Sequence, residues 1–144
     1  MILYFDTSAL VKLVIAEEGS ELASELWATP HPGASSILAY PEGRAALAAA
    51  RRGARFAAAA HTRALEDFES LHAELALIGV DAQLARYAGE LAEKFALRGY
   101  DAVHLASALS VGDAITLVSW DEDLRRAAVR NGCALAPPTQ TQDA

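Results

Sequence analysis

Four acidic residues stand where a surface role does not explain them: Asp6, Glu42, Asp101 and Asp121. Asp6 ends the apolar run Ile2–Phe5, and Asp121 follows the apolar stretch 114–119 in the same way. Open α/β sheets bind ligands outside the carboxyl ends of their strands, so both carboxylates are expected at that edge. The two positions therefore predict a polar site at the carboxyl edge of the sheet.

The other two acids share a helix face with apolar residues. Glu42 lies four residues after Leu38 and four before Ala46, and Asp101 lies four residues before Leu105. Side chains at this spacing lie on one face of a helix. We therefore predict that both carboxylates point inward, towards the same site.

Each acid also has a structural alternative. Asp6, Asp101 and Asp121 are good N-cap residues for the helices that they open. The alternative for Glu42 is an exposed side chain at a kink, because Pro41 falls at the fifth position of a helix predicted over 36–52. A proline there should bend the helix or begin a new one.

If the four carboxylates meet, they cannot all stay ionised without a counter-charge. A divalent cation supplies that charge, and ligation by oxygen alone indicates Mg²⁺ or Mn²⁺. No histidine or cysteine falls at the spacing of a zinc site. The chemistry of such a centre is displacement at phosphorus by a metal-activated water.

Further polar residues adjoin these acids. Thr7, Ser8 and Ser119 could orient carboxylates or water, or could make ordinary caps and turn bonds. Asp123 is a fifth acid of the site or a helix residue that points to solvent. His104, one turn after Asp101, is a partner of the acids or a core histidine satisfied by a hydrogen bond.

The elements that must position these residues alternate along the chain. Apolar runs at 2–5, 77–80, 114–119 and 133–136 alternate with segments of helical periodicity. This order predicts an α/β fold with a central, mostly parallel sheet of four to five strands and helices on both faces. We expect one domain over 1–136 and a flexible tail over 137–144.

Composition limits the function classes. The 144-residue chain carries a net charge of −7, which argues against broad non-specific binding to nucleic acid. Five arginines and no acids fall within 44–63, so a local basic face is compatible with phosphate contacts, although a solvated helix face explains it as well. One cysteine, no signal-peptide pattern and no long apolar run predict a soluble, cytoplasmic protein.

Four segments resemble, in order, the acidic motifs of PIN-domain ribonucleases, in particular the VapC-type toxins. They are 4–13, 36–47, 97–108 and 117–124. The resemblance spans nearly the whole chain, and it implies a three-layer PIN fold and an endoribonuclease dependent on Mg²⁺ or Mn²⁺. By position, its acids would be Asp6, Glu42, Asp101 and Asp121. Two features depart from the pattern: Pro41 and Gly43 flank Glu42, and Ser119 stands where threonine is commoner.

The resemblance also implies partners. A VapC-type toxin would be a homodimer, would cleave RNA, and would be neutralised by a small antitoxin laid over its active-site groove. DNA would be contacted only through the complex with that antitoxin. On this interpretation, Arg51, Arg52 and Arg55 are candidates for contacts with the RNA backbone.

Other functions fit less well. A haloacid-dehalogenase-like phosphatase needs a second aspartate two residues after the first, where this chain has Ser8. A receiver-like module needs an adjacent acidic pair after the first strand and an aspartate at the third, and neither is found. A catalytically silent PIN-like module that binds RNA or protein remains the non-enzymatic alternative, against which the complete set of four acids argues.

Overall fold

The computed structural model of the chain describes residues 1–30, 32–53 and 56–139. Its centre is a sheet of five strands: β1 (Ile2–Phe5), β2 (Gly33–Ser36), β3 (Ala76–Ile78), β4 (Ile115–Val118) and β5 (Ala134–Ala136). Their order is β3-β2-β1-β4-β5, and every pairing is parallel. The predicted α/β fold with a parallel sheet is confirmed.

Seven helices connect the strands in the described part of the chain. They are α1 (Thr7–Lys12), α2 (Ser20–Ala28), α3 (Ala39–Arg52), α4 (Ala58–Glu74), α5 (Ala82–Phe95), α6 (Gly99–Val111) and α7 (Glu122–Arg130). None of these helices is long and apolar enough to span a bilayer. The predicted tail begins at Pro137, and its residues 140–144 lie outside the described ranges. The boundary at residue 136 stays a prediction.

Helices cover both faces of the sheet, as predicted. Leu3 and Phe5 of β1 pack into a core with α1, α3 and α4, whereas Tyr4 packs into a second core with α5, α6 and α7. This alternation follows from the two-residue period of a strand. The result is a three-layer domain whose first strand is buried on both sides.

The strand β2 was not predicted, because its small polar residues are also typical of the approach to a helix. Ala34, Ser35 and Ser36 are buried, and the hydroxyl of Ser35 donates a 2.6 Å hydrogen bond to the carbonyl of Phe5. Ser36 is therefore not the N-cap of the following helix, although its Oγ accepts a hydrogen bond from the backbone nitrogen of Leu38. Residues this small give no β-propensity signal, yet they fit the crowded centre of the sheet.

Pro41 does not bend a helix that starts at residue 36, because α3 begins at Ala39. Of the two predicted alternatives, a helix that begins near Pro41 is therefore closer to the structure. Pro41 is the third residue of the helix, where a backbone N–H would have no partner inside the helix. The first bond of the helix runs from the nitrogen of Glu42 to the carbonyl of Leu38, at 3.2 Å. Gly43 is required by packing, since a Cβ there would overlap the Phe68 ring of α4.

Candidate active site

The carboxyl ends of β1 and β4 bring Asp6 and Asp121 to one edge of the sheet, as predicted. Phe5 pairs with Val118, and the backbone nitrogen of Asp6 donates to the carbonyl of Val118 at 3.2 Å. Ser119 joins the two acids. Its Oγ donates to Oδ2 of Asp6 at 2.5 Å and accepts from the backbone nitrogen of Asp121 at 3.1 Å.

Asp6 is buried, with only 3% of its surface exposed. Its Oδ1 accepts from the backbone nitrogen of Ala9 at 2.9 Å and from the hydroxyl of Ser8 at 2.6 Å, so Asp6 does cap α1. Burial raises the pKa of Asp6, although nearby His104 and the bonds from Ser119 and Ser8 oppose that rise. Although Asp6 caps α1, it remains a buried acid with a raised pKa, and a nearby cation would stabilise its ionised form.

Glu42 lies in the first turn of α3, and its contacts lead towards the other acids. Its Oε1 accepts from the hydroxyl of Thr7 at 2.9 Å and lies 2.7 Å from Nε2 of His104. Burial raises the pKa of Glu42, but the hydrogen bonds from His104 and Thr7 more than offset this and hold the pKa below its ordinary value. Glu42 therefore stays ionised at neutral pH.

The prediction that Glu42 lies on the inward face of α3 was only partly correct. The buried residues of the helix are Ala39, Gly43, Leu47 and Ala50. Glu42 lies at the border of this face, with 24% of its side chain exposed. That position lets the carboxylate reach the site while the helix packs on Phe68.

His104 is a buried residue that connects Glu42 to the core. Its Nδ1 lies 2.8 Å from the hydroxyl of Tyr4, and both predicted roles of His104 apply. Burial raises the pKa of Tyr4, so its hydroxyl stays protonated and can donate to Nδ1. An ionised carboxylate can only accept, so we assign a proton to Nε2 of His104, from which it is donated to Oε1 of Glu42.

Asp101 and Asp121 share one counter-charge, the guanidinium of Arg98. Its Nε lies 3.1 Å from Oδ2 of Asp101, and its Nη2 lies 3.3 Å from Oδ2 of Asp121. Burial and repulsion by Asp121 raise the pKa of Asp101, and Arg98 opposes that rise. Asp121 caps α7 through the backbone nitrogen of Leu124, whereas Asp101 is the third residue of α6 and caps nothing.

The chemistry of the donor set fits a hard divalent cation. Asp6, Glu42, Asp101 and Asp121 offer oxygen alone, and burial raises the pKa of Asp6 and of Asp101, which a bound cation would lower. Within the described residues, no three Asp, Glu, His or Cys side chains converge closely enough to hold an ion as they stand. Arg98 supplies the counter-charge to two of the four acids in this arrangement.

The remaining predicted residues divide into two groups. Thr7, Ser8 and Ser119 contact the acids directly through their hydroxyls. Asp123 does not join the group, because its side chain is 62% exposed and pairs with Arg126 on the same helix.

The predicted RNA contacts lie away from the acids. Arg51 and Arg52 are exposed in the last turn of α3. They lie about 14 Å along the helix axis from Glu42, at about 1.5 Å per residue. Arg55 lies outside the described residues.

Two contributors to the site were not predicted: Arg98 and Tyr4. The three-residue spacing from Arg98 to Asp101 was a usable signal for an ion pair on a helix. No such signal existed for Tyr4, whose partner His104 is 100 residues away.

Comparison with known proteins agrees with this architecture. The family model described as the PIN domain matches residues 3–130. The ribonuclease VapC45 of Mycobacterium tuberculosis (strain CDC 1551 / Oshkosh) is 47% identical over 137 residues, which is 94% of this chain and 95% of that protein.

Solved structures share the fold at low sequence identity. VapBC2 from Rickettsia felis, bound to a DNA fragment from its promoter, superposes with a TM-score of 0.66 at 17% identity and covers 94% of this chain and 97% of that one. A toxin–antitoxin complex from Klebsiella pneumoniae superposes with a TM-score of 0.61 at 20% identity, with coverage of 84% and 88%. At these identities the likeness concerns the fold alone.

Proposed function

The chain belongs to the PIN-domain family, and we propose that it is a Mg²⁺- or Mn²⁺-dependent endoribonuclease that acts as the toxin of a toxin–antitoxin pair. The 47% identity to a ribonuclease over nearly the whole of both chains supports this activity. The single observation that carries the proposal is the link from Asp6 through Ser119 to Asp121 at the carboxyl edge of the sheet.

Asp6, Glu42, Asp101 and Asp121 would hold the cation, because their oxygens suit a hard ion. The chemistry that such an ion supplies when bound is activation of water for attack on phosphorus and neutralisation of the leaving oxygen. The other tasks fall to the chain itself.

The chain's own groups orient the acids and hold their protons. Ser8 and Ser119 fix the two oxygens of Asp6, and Thr7 and His104 fix Oε1 of Glu42. Glu42 is ionised at neutral pH, so its carboxylate can accept a hydrogen bond from the attacking water. Hydrolysis of an RNA phosphodiester is the reaction that this arrangement supports best.

Partners follow from the family. We propose a homodimer that binds RNA as substrate and is neutralised by a cognate antitoxin, with DNA bound only through the complex of the two proteins. The complexes formed by the structural neighbours from Klebsiella pneumoniae and Rickettsia felis support this choice of partner. RNA cleavage of this kind would take place in the cytoplasm.

The test is cleavage of structured RNAs by the purified chain, free of partner, with Mg²⁺ or Mn²⁺. We expect cleavage that EDTA abolishes and that Asp6→Asn and Asp101→Asn reduce at least about 100-fold, a loss of about 3 kcal/mol in transition-state stabilisation.

The matched control is Asp123→Asn, which removes an exposed acid on the neighbouring helix and should leave the rate unchanged. Cleavage that survives EDTA or Asp6→Asn would contradict the proposal. No cleavage of any RNA, together with no binding of Mn²⁺, would favour a catalytically silent binding module.

A further inference from the structure

Arg98 occupies the carboxylate oxygens that the proposed cation needs. Its Nε contacts Oδ2 of Asp101, and its Nη2 contacts Oδ2 of Asp121. The guanidinium thus bridges two acids that repel each other. A cation that bound these two oxygens would have to displace it.

The side chain of Arg98 is free to leave. It is 78% exposed, and it makes no capping bond although Arg98 is the N-cap residue of α6. The ion pairs that it would give up are those of an exposed side chain, which are weak in water. Its departure would therefore leave the core and α6 intact.

A displaced Arg98 would stay beside the site, because its backbone is fixed at the start of α6. The planar guanidinium matches the oxygens of a phosphate and can bind two of them at once. The surrounding acids would repel an RNA phosphate unless they were neutralised. The guanidinium of Arg98 contacts both Asp101 and Asp121, so its positive charge lies beside both carboxylates.

We propose that Arg98 exchanges partners. It pairs with Asp101 and Asp121 when no divalent cation is bound, and a cation that takes these carboxylates releases the guanidinium to bind a phosphate of the RNA. This inference rests on the proposed nuclease function. It assigns to Arg98 the contact with the substrate backbone next to the acids, and it makes cation binding a precondition for that contact.

The first arm of the test is Mn²⁺ binding measured by calorimetry without RNA. Loss of two weak ion pairs should make Arg98→Gln bind Mn²⁺ about two- to tenfold more tightly than the wild type. The matched control is Arg126→Gln, which removes a similarly exposed arginine from an i,i+3 pair with Asp123. Its affinity for Mn²⁺ should match that of the wild type, which separates displacement from a general change in net charge.

The second arm is RNA cleavage at saturating Mn²⁺. Arg98→Gln should cleave RNA about tenfold or more slowly, although it binds the ion more tightly. Arg98→Lys keeps the positive charge and should recover part of the rate. The recovery should be incomplete because lysine cannot bind two phosphate oxygens in the planar geometry of a guanidinium. Arg126→Gln should cleave at the wild-type rate. Opposite signs in the two arms are the signature of the exchange, since a merely structural residue would weaken both.

Two results would overturn the inference. Mn²⁺ binding by Arg98→Gln that equals or falls below the wild-type affinity would exclude displacement. Cleavage by Arg98→Gln at the wild-type rate would exclude the phosphate contact. A wild-type chain that binds Mn²⁺ but cleaves no RNA would instead contradict the nuclease function, and the binding arm would still decide whether Arg98 and the cation compete.

Discussion

Nε2 of His104 lies 2.7 Å from Oε1 of Glu42, and this contact ties α6 to the first turn of α3. The two residues are 62 positions apart in the sequence. His104 is held in turn by the hydroxyl of Tyr4 on β1. The orientation of Glu42 thus depends on a buried chain of hydrogen bonds that begins in the sheet.

His104 is therefore a positioning residue for Glu42. We expect His104→Ala to lower the rate of RNA cleavage about 10- to 100-fold, as loss of a group that orients a metal-binding side chain typically does. Tyr4→Phe removes only the hydrogen bond that holds His104 and keeps the contact of His104 with Glu42, so it should lower the rate by a smaller factor and cost about 1 kcal/mol of stability.

A double-mutant cycle separates positioning from loss of stability. If His104 acts through Glu42, the effects of His104→Ala and Glu42→Gln on the cleavage rate should be strongly non-additive. Additive effects would mean that His104 contributes only to the core. Urea unfolding of each variant gives the accompanying change in stability.

Asp6 should destabilise the fold at neutral pH in the absence of a cation. An unfolded aspartate releases its proton near pH 4, whereas burial raises the pKa of Asp6 in the folded chain. Between the two values the folded state binds more protons, so this contribution to stability falls as pH rises. In EDTA, Asp6→Asn should therefore be more stable than the wild type at pH 7, and the difference should grow as pH rises from about 4.

Thermal unfolding of both proteins across that pH range measures the effect. Addition of Mn²⁺ should raise the melting temperature of the wild type more than that of Asp6→Asn, because a ligand stabilises the state that binds it. A wild type that is the more stable protein throughout the range in EDTA would show that the hydrogen bonds to Asp6 outweigh its burial.

We predict that α3 needs a glycine at position 43 in order to pack against Phe68, and that this packing also sets the position of Glu42. Gly43→Ala would push α3 away from the Phe68 ring and should cost about 1–3 kcal/mol in the free energy of unfolding. Gly89→Ala is the control, since a Cβ in that part of α5 meets no atom within 4 Å. It should stabilise the protein by about 0.5–1 kcal/mol. Equal stabilities of the two variants would contradict the role of Gly43.

Much of the sheet could be predicted because its central strands carry the usual signals. The runs ending at Asp6 and Asp121 are apolar and are followed at once by helices, so their parallel pairing and shared edge could be inferred. The strand β2 could not, because Gly33–Ser36 contains only small residues whose burial depends on neighbours remote in the sequence. Because that strand was missed, the start of α3 was predicted three residues too early, at residue 36 instead of Ala39, and Pro41 was placed deeper in the helix than it is.

The sequence was enough to predict the acidic residues of the candidate site, but not the residues that hydrogen-bond to them or form ion pairs with them. Inward-facing carboxylates stand out against apolar neighbours, and this pattern is why Glu42 and Asp101 were predicted; their side chains are 24% and 15% exposed in the structure. The contact of His104 with Tyr4 and the bridge from Arg98 to Asp121 join residues 100 and 23 positions apart. Helical spacing reports only neighbours within one or two turns, so these contacts appeared only in the folded chain.

The basic segment 51–55 is predicted to contact the RNA backbone. Replacing Arg51, Arg52 and Arg55 with alanine should weaken RNA binding and reduce the slope of log K against log salt by about 2, at roughly 0.7 for each phosphate that is no longer bound. Fluorescence anisotropy with a labelled RNA measures this slope. Arg86→Ala removes an exposed arginine of α5 and serves as control. An unchanged slope in the triple variant would exclude the segment as an RNA-binding surface.

Direct measurement of Mn²⁺ binding tests most simply whether the acids form one cation site. At neutral pH, Asp6→Asn, Asp101→Asn and Asp121→Asn should each weaken Mn²⁺ binding about tenfold or more, whereas Asp123→Asn should bind as the wild type does. Wild-type affinity in the first three variants, or an equal loss in Asp123→Asn, would contradict a cation site at the carboxyl edge of β1 and β4.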